Sequence, residues 1–431
     1  MNPERVPARS GALESLNSNR SGVREEAGLQ AASPLAPLRE AQFVSCWLAG
    51  ALSASANWML GLSVPYLVYE MTGSSVWLGI AALASQGPAI IASPLGGLWA
   101  DRFPKRMVLL CSLGIQFGVA LSLFLTSRSG GLALPSLLGL AAAMGFASAT
   151  HLSAYQSFVA EIVPTGQIAP AYRLNAIQFN VSRALGPAAA GFVLAQWGAT
   201  TAFLVNAIAY LPLAMVLLFV RPRPSDRAIP ESLLSDLRAG ARVVWRDRRL
   251  RVALMTTTVT AMFGMGIQPL IAGLAKDVFR VGEQGLGILV SSIGLAAFGT
   301  AVLTVWLGDR IRRSALVQWG FVLYGTGLWV VASTSDFRIG VVGFAITGLA
   351  HVLVNVSVTT SIQIHVPTVF RGRVTSLQLM SIIVSMPIGA QLGGLLGAVS
   401  GLPTVVALYG SLLVAYAFWA GIGLDGLRDL D

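Results

Sequence analysis

The chain has 431 residues, 55% hydrophobic and only 11% charged. Soluble domains carry about 25% charged residues, so this composition excludes an ordinary soluble protein. A formal net charge of +10 would suit a nucleic-acid partner, but most of the 29 Lys and Arg fall in the tails and in alternate connections between apolar runs, with only Arg128, Lys276, Arg280 and Arg338 in the other connections and Arg183 inside a run. That distribution is the inside-positive bias of a polytopic membrane protein, and it needs no nucleic acid.

Residues 1–40 mix Pro, Ser, Arg and Glu without an apolar stretch of signal-peptide length, and are expected to form a disordered cytoplasmic tail. Apolar runs broken by charge or by Gly and Pro then predict twelve membrane helices. The first six run about 41–69, 77–100, 107–127, 132–158, 174–196 and 200–220, and the second six about 251–274, 285–307, 315–334, 338–364, 374–400 and 403–421. Each can cross ~30 Å of hydrocarbon at about 1.5 Å per residue. The fold class is therefore all-α integral membrane, with a six-helix bundle over 41–220, a cytoplasmic linker over 221–250, a second bundle over 251–421 and a cytoplasmic tail over 422–431. Within the linker, 232–245 can form an amphipathic helix with Leu233, Leu234, Leu237 and Val244 on one side and Arg238 and Arg242 on another.

Between the second and third spans lies Gly97-Leu-Trp-Ala-Asp101-Arg102-Phe-Pro-Lys105-Arg106, a charged turn that can only sit at the water interface. Part of it recurs in the second half, where Asp101-Arg102 becomes Asp309-Arg310; Val163-Pro164-Thr165 recurs as Val366-Pro367-Thr368, and Arg173 and Pro187 as Arg373 and Pro387. A degenerate repeat of six spans predicts two bundles related about the membrane normal.

The turn resembles the signature of the major facilitator superfamily, G-x-L-A-D-R-x-G-R-K, matched at Gly97, Ala100, Asp101, Arg102, Lys105 and Arg106 and departing at Trp99 and Pro104. Leu67-Val68-Tyr69-Glu70-Met71-Thr72-Gly73-Ser74, Val163-Pro164 with Arg173-Leu174-Asn175, and Leu185-Gly186-Pro187 with Gly191 are similar to the exporter branch that includes siderophore and macrolide efflux proteins. The resemblance implies that Gly186, Pro187 and Gly191 form a hinge in the fifth helix, and that small-residue stripes at sliding interfaces join the halves. The candidate stripes are Ala89, Ser93 and Gly97; Ser182, Gly186 and Ala190; and Gly389, Gly393 and Gly397. It also implies that Asp101 meets the start of the eleventh helix, near 374–376 and Arg373, when the cytoplasmic side closes, and that Asp309 does the same near Arg173.

Polar residues inside apolar spans face a bundle interior or a wet cavity. Asn57, Gln86, His151, Gln178, Asn180, Asn355 and Gln391 are such groups, and as a set they point to a central polar cavity, although each could instead bond helix to helix. Arg183 falls roughly 15 Å into the fifth span, near mid-membrane, with no carboxylate at its depth. It is read either as a helix staple or as a cavity residue for an anionic or carbonyl-rich substrate. None of the 19 Asp and Glu sits mid-span, and Asn57 stands where related exporters often carry Asp, which leaves Glu161, His151 and Glu70 as coupling candidates.

Cys46 and Cys111 each lie in an apolar run, and the three His are scattered, so neither a disulfide framework nor a metal site is expected. No cofactor is expected, and no nucleophile, base and metal can be assembled for a membrane enzyme. The reading is a secondary transporter working by alternating access. It is expected to be a proton-coupled, monomeric exporter of a small organic molecule in the cell membrane, with both termini cytoplasmic. A nutrient importer or lysolipid flippase on the same fold, or a non-transporting sensor, are the alternatives.

Overall fold

The computed structural model describes residues 33–223, 233–307, 312–366 and 368–422. Most of the expected tails, and the turn at Asp309 and Arg310, lie outside the described residues. Ala36–Arg39, within the stretch expected to be disordered, forms a single 3-10 turn with Pro37 buried.

Eleven helices are long and apolar enough to cross a membrane, and one of them, Thr165–Phe219, passes through Gly198 at φ 75. A glycine takes that left-handed conformation without a Cβ clash, and the chain folds back there into two helices. The helices are α1 Ala41–Thr72, α2 Ser75–Arg102, α3 Lys105–Arg128 and α4 Leu134–Ile162, followed by α5 and α6 on either side of Gly198 within Ile168–Phe219. The second half holds α7 Arg248–Val278, α8 Glu283–Leu307, α9 Arg313–Ala332, α10 Phe337–His365, α11 Thr368–Ser400 and α12 Leu402–Ile422. Pro88 ends the first segment of α2, and α5 begins at Ile168, earlier than the expected 174.

α7 departs most from a regular helix. It is α-helical over Arg248–Val259, π-helical over Thr260–Gly264, 3-10 over Met265–Leu270 and π-helical again over Leu274–Val278. Pro269 lacks an amide hydrogen to donate, and Gly264 and Gly266 bring backbone against the ring of Tyr324 and against Gly389. π and 3-10 turns inside a long helix often mark functional hinges.

Side chains in α1 to α6 build one apolar core around Phe43, Phe158, Phe203 and Tyr210, while those of α7 to α12 build another around Phe321, Phe344 and Tyr409. Met59, Tyr69, Leu78, Ala190 and Leu194 come from the first half but pack into the second core. Outward-facing Leu48, Leu52, Ile91, Ile115 and Leu125 are exposed, as a lipid-facing surface requires.

Basic side chains tie down one end of the molecule, here called the basic face. The Arg106 guanidinium donates to the carbonyls of Leu218 and Val220 at the end of α6, a cation at the negative end of a helix dipole. Lys105 Nζ pairs with Glu161 Oε1 at 2.7 Å, joining α3 to α4. The linker helix Leu233–Arg246 packs Gly240 on the backbone of Arg373 at the start of α11, with Val244 buried and Trp245 exposed.

The three expected small-residue stripes lie only in part at the seam between the halves. Gly97 has nothing within 4 Å of its Cβ position, whereas Gly79, on the other segment of α2, lies against Gln391 of α11. On α5, Ser182 donates to the Ala51 carbonyl and Gly186 abuts Trp58 and Ser55, so these two pack against α1 in their own half, while Ala190 is buried in the second core. Gly389 and Gly393 likewise face Met262 and Leu270 of α7, and only Gly397 reaches across, to Ser75.

Candidate functional site

Contacts between the halves concentrate toward the face opposite the basic one. Small side chains there let backbones meet: a Cβ on Gly191 of α5 would lie 2.7 Å from Gly287 Cα of α8, and one on Gly294 would lie 2.6 Å from Ala184 Cα. Ser75 Oγ of α2 donates to the Gly394 carbonyl of α11 at 2.8 Å. Two tyrosines of α1 complete the closure. Tyr66 donates its hydroxyl to Glu283 at 2.9 Å, and Tyr69 donates to Asp277. A phenol bound to a carboxylate is a charge-assisted hydrogen bond, stronger than a neutral pair.

At the basic face Asp101 is exposed and, among the described residues, makes neither a hydrogen bond nor an ion pair. Arg102 is exposed as well, and the Arg373 guanidinium lies 5.7 Å from the Phe370 ring. Among the described residues, no hydrogen bond or ion pair joins Asp101 to the start of α11.

Between the two faces the polar candidates separate into groups. Asn57 accepts from Ser148 Oγ at 2.9 Å, joining α1 to α4, and His151 Nδ1 lies 3.1 Å from Ser112 Oγ while its ring stacks on Tyr155. Gln178 is buried against α1 beside Gly50, with Oε1 unpartnered. Gln86 sits half-buried where α2 breaks, and Asn180 donates to the Ala176 carbonyl of its own helix. Gln391 is held in the α2 to α11 contact.

In the second half, Thr257, Thr260, His351, Asn355 and Ile382 line a narrow space between α7, α10 and α11. Gln378 donates to Thr359 at 3.2 Å and to Thr257 at 3.4 Å, and Thr359 donates to Asn355 Oδ1 at 3.4 Å. Arg183 approaches this region from the first half. Its guanidinium lies 5.8 Å from the Trp58 ring centre, and Tyr324 and His351 are within its electrostatic reach. Trp58 is in turn packed edge-on against Phe179.

Of the coupling candidates, Glu161 is ion-paired to Lys105, His151 is hydrogen-bonded within the first half and Glu70 is exposed at the opposite face. Among the hinge residues, Gly186 packs on α1, the Pro187 carbonyl faces Gly287, and α5 stays helical through Pro187. Sequence reasoning missed Tyr66, Tyr69, Asp277, Glu283 and Tyr324. The four charges of the 276–283 connection, two acidic beside two basic, were the available signal, but they read as an ordinary loop.

The family profile described as transmembrane secretion effector matches residues 32–423. The chain is 25% identical over 400 residues to the multidrug efflux pump Tap of Mycobacterium tuberculosis, covering 88% of this chain and 92% of that protein. It is 21% identical over 395 residues to macrolide efflux protein A of Streptococcus pyogenes, covering 90% and 97%. Among solved structures it superposes on the nucleoside transporter NupG with a TM-score of 0.68 at 14% identity, covering 90% of this chain and 99% of that one. The inward-open xylose transporter XylE from E. coli gives a TM-score of 0.68 at 15% identity, covering 90% and 98%.

Proposed function

Because the chain belongs to the transmembrane secretion effector family, a branch of the major facilitator transporters rather than of any enzyme class, we propose that it exports a small organic molecule across the cell membrane by alternating access. The observation that carries this reading is the asymmetry of contact between the halves. They meet through Gly191 and Gly287, Tyr66 and Glu283, and Tyr69 and Asp277 at one face, while Asp101 of the family turn is unpartnered at the other. An interior reached from one side at a time is what a carrier needs, and the relatives named as efflux pumps favour the outward direction.

In this reading the basic face is cytoplasmic, by the inside-positive rule, and so are both termini and the linker. The protein works as a monomer and draws on the proton gradient. Asp277 and Glu283, hydrogen-bonded across the halves, join Glu161, paired within one of them, as the candidate coupling groups. The test is accumulation of a macrolide and of cationic and anionic dyes in inverted vesicles, with and without an imposed proton gradient. Accumulation that needs both the protein and the gradient is expected. Uptake equal to that of vesicles lacking the protein would sink the export reading.

A further inference from the structure

We propose that Arg183 and His351 are the two sides of a subsite for an acidic group on the cargo, so that the transported compound is an organic anion or carries an anionic moiety. The inference rests on the export reading and narrows it to a substrate class.

Arg183 stands next to Ala184, whose Cα is met by Gly294 of α8, so the guanidinium leaves α5 at the seam between the halves. Its Nη2 is buried with no hydrogen-bond partner, and no carboxylate among the described residues pairs with it. A guanidinium presents five donors, and one that merely stapled helices would have them taken up by carbonyls or side chains. Trp58 instead covers the guanidinium without accepting from it. A cation over an aromatic ring is fixed in place while its edge donors stay available.

Across the seam, His351 of α10 is buried, its Nδ1 also lacks a partner, and its ring sits edge-on to Tyr324 at 6.3 Å between centres. His351 borders a narrow space lined by the polar groups of Thr257, Thr260 and Asn355. Two buried, unpartnered nitrogens from opposite halves thus converge on one region. A carboxylate or sulfonate between them accepts from the arginine in a charge-assisted contact, and from the imidazole in the tautomer whose Nδ1 carries the hydrogen. The sign of the field follows: a mid-membrane arginine without a counterion repels a cation and attracts an anion, and low polarity magnifies both effects. An anion that bridges Arg183 to His351 also ties the halves together, which is how cargo binding can drive their relative motion.

The test uses full-length protein purified in lipid nanodiscs, with fluorescein and rhodamine 123 as probes that share a xanthene skeleton and differ in charge. Fluorescein should raise the thermal midpoint of the parent and bind at least about tenfold tighter than rhodamine 123, since like charge at a desolvated site is heavily penalised. Arg183→Lys should keep part of that preference and Arg183→Met none of it, while His351→Leu weakens fluorescein severalfold. The empty protein gives an independent reading. An unpaired buried charge held for a ligand destabilises the empty fold, so Arg183→Met should raise its midpoint, whereas loss of a structural staple should lower it. A lowered midpoint in Arg183→Met, or tighter binding of rhodamine 123 than fluorescein by the parent, overturns the proposal. Where neither dye shifts the parent, the sign of the Arg183→Met change decides. Failure of export in vesicles would sink the transport reading alone, because this charge preference is measured on purified protein.

Discussion

The two ends of the molecule solve different problems with different chemistry. At the face opposite the basic one, the halves are locked by backbone contact at glycines and by two phenol-to-carboxylate bonds; at the basic face, the strong interactions run within a half. Lys105 to Glu161 joins α3 to α4, and Arg106 caps α6. A carrier can rock only if each half is rigid and the contacts between halves are few and reversible. Glycine contacts provide close van der Waals packing without interlocked side chains, and hydrogen bonds can be remade with water. The comparison finds Asp101 unpartnered where the tyrosines of α1 are engaged, and the proposed alternating access assigns them to opposite states.

The largest disruption of this comparison should come from Gly191→Leu. The added Cβ would lie 2.7 Å from Gly287 Cα and 2.8 Å from the Glu283 carbonyl oxygen, both backbone atoms that no rotamer change can move. We expect the locked face to part and transport to fall by more than about tenfold, as overpacking a tight contact costs on the order of 1–3 kcal/mol. A cysteine at Leu78, fully buried in the parent, reports the change in a background with Cys46 and Cys111 replaced. Labelling at the parent rate would show that Gly191 does not hold that face shut.

A smaller shift in the same direction is expected from Tyr66→Phe combined with Tyr69→Phe, which removes both hydroxyls and leaves the rings. Because water takes the place of both partners when the face opens, the pair should contribute on the order of 1 kcal/mol net, and labelling at Leu78→Cys should rise severalfold. An unchanged rate would reduce these two bonds to decoration of a face held by packing alone.

Asp101→Asn should leave Leu78→Cys labelling and thermal stability within about 0.5 kcal/mol of the parent, as expected for an exposed group with no partner in this state. Transport should nevertheless fall, because the closed state of the basic face loses its carboxylate. Parent-level transport by this variant removes Asp101 from the gate. Smallest of all, Glu161→Gln should cost about 1 kcal/mol or less of stability with no change in labelling, since the Lys105 pair lies within one half and near water. A change in labelling there would mean that the basic-face staple does respond to state.

The membrane fold was readable because its causes are local. Length and hydropathy mark each span, charge marks the connections, and Trp197-Gly198-Ala199 marks the reversal that divides α5 from α6. The family turn was readable for the same reason, since a charged hairpin between two uncharged runs has one place to go. The contact faces were not. Glycine and alanine occur on every side of these helices, so spacing alone could not tell that Ser182 and Gly186 face α1 while Ala184, Pro187 and Gly191 face α8.

Sequence by itself determined the run of apolar spans, the crowding of basic residues into alternate connections and the solitude of Arg183, because each follows from what hydrocarbon excludes. Only the tertiary structure decided what those residues meet. Tyr66 and Glu283 are 217 positions apart, and the packing of α5 on α8, which sets what Arg183 can reach, depends on which glycines interlock. The breaks in α7 are of the same kind: Pro269 announces one, but the π turn at Thr260–Gly264 lies where α7 meets Tyr324, and the one at Leu274–Val278 follows Gly273, which lies against Leu402 and Tyr69, contacts that exist only after the helices have packed.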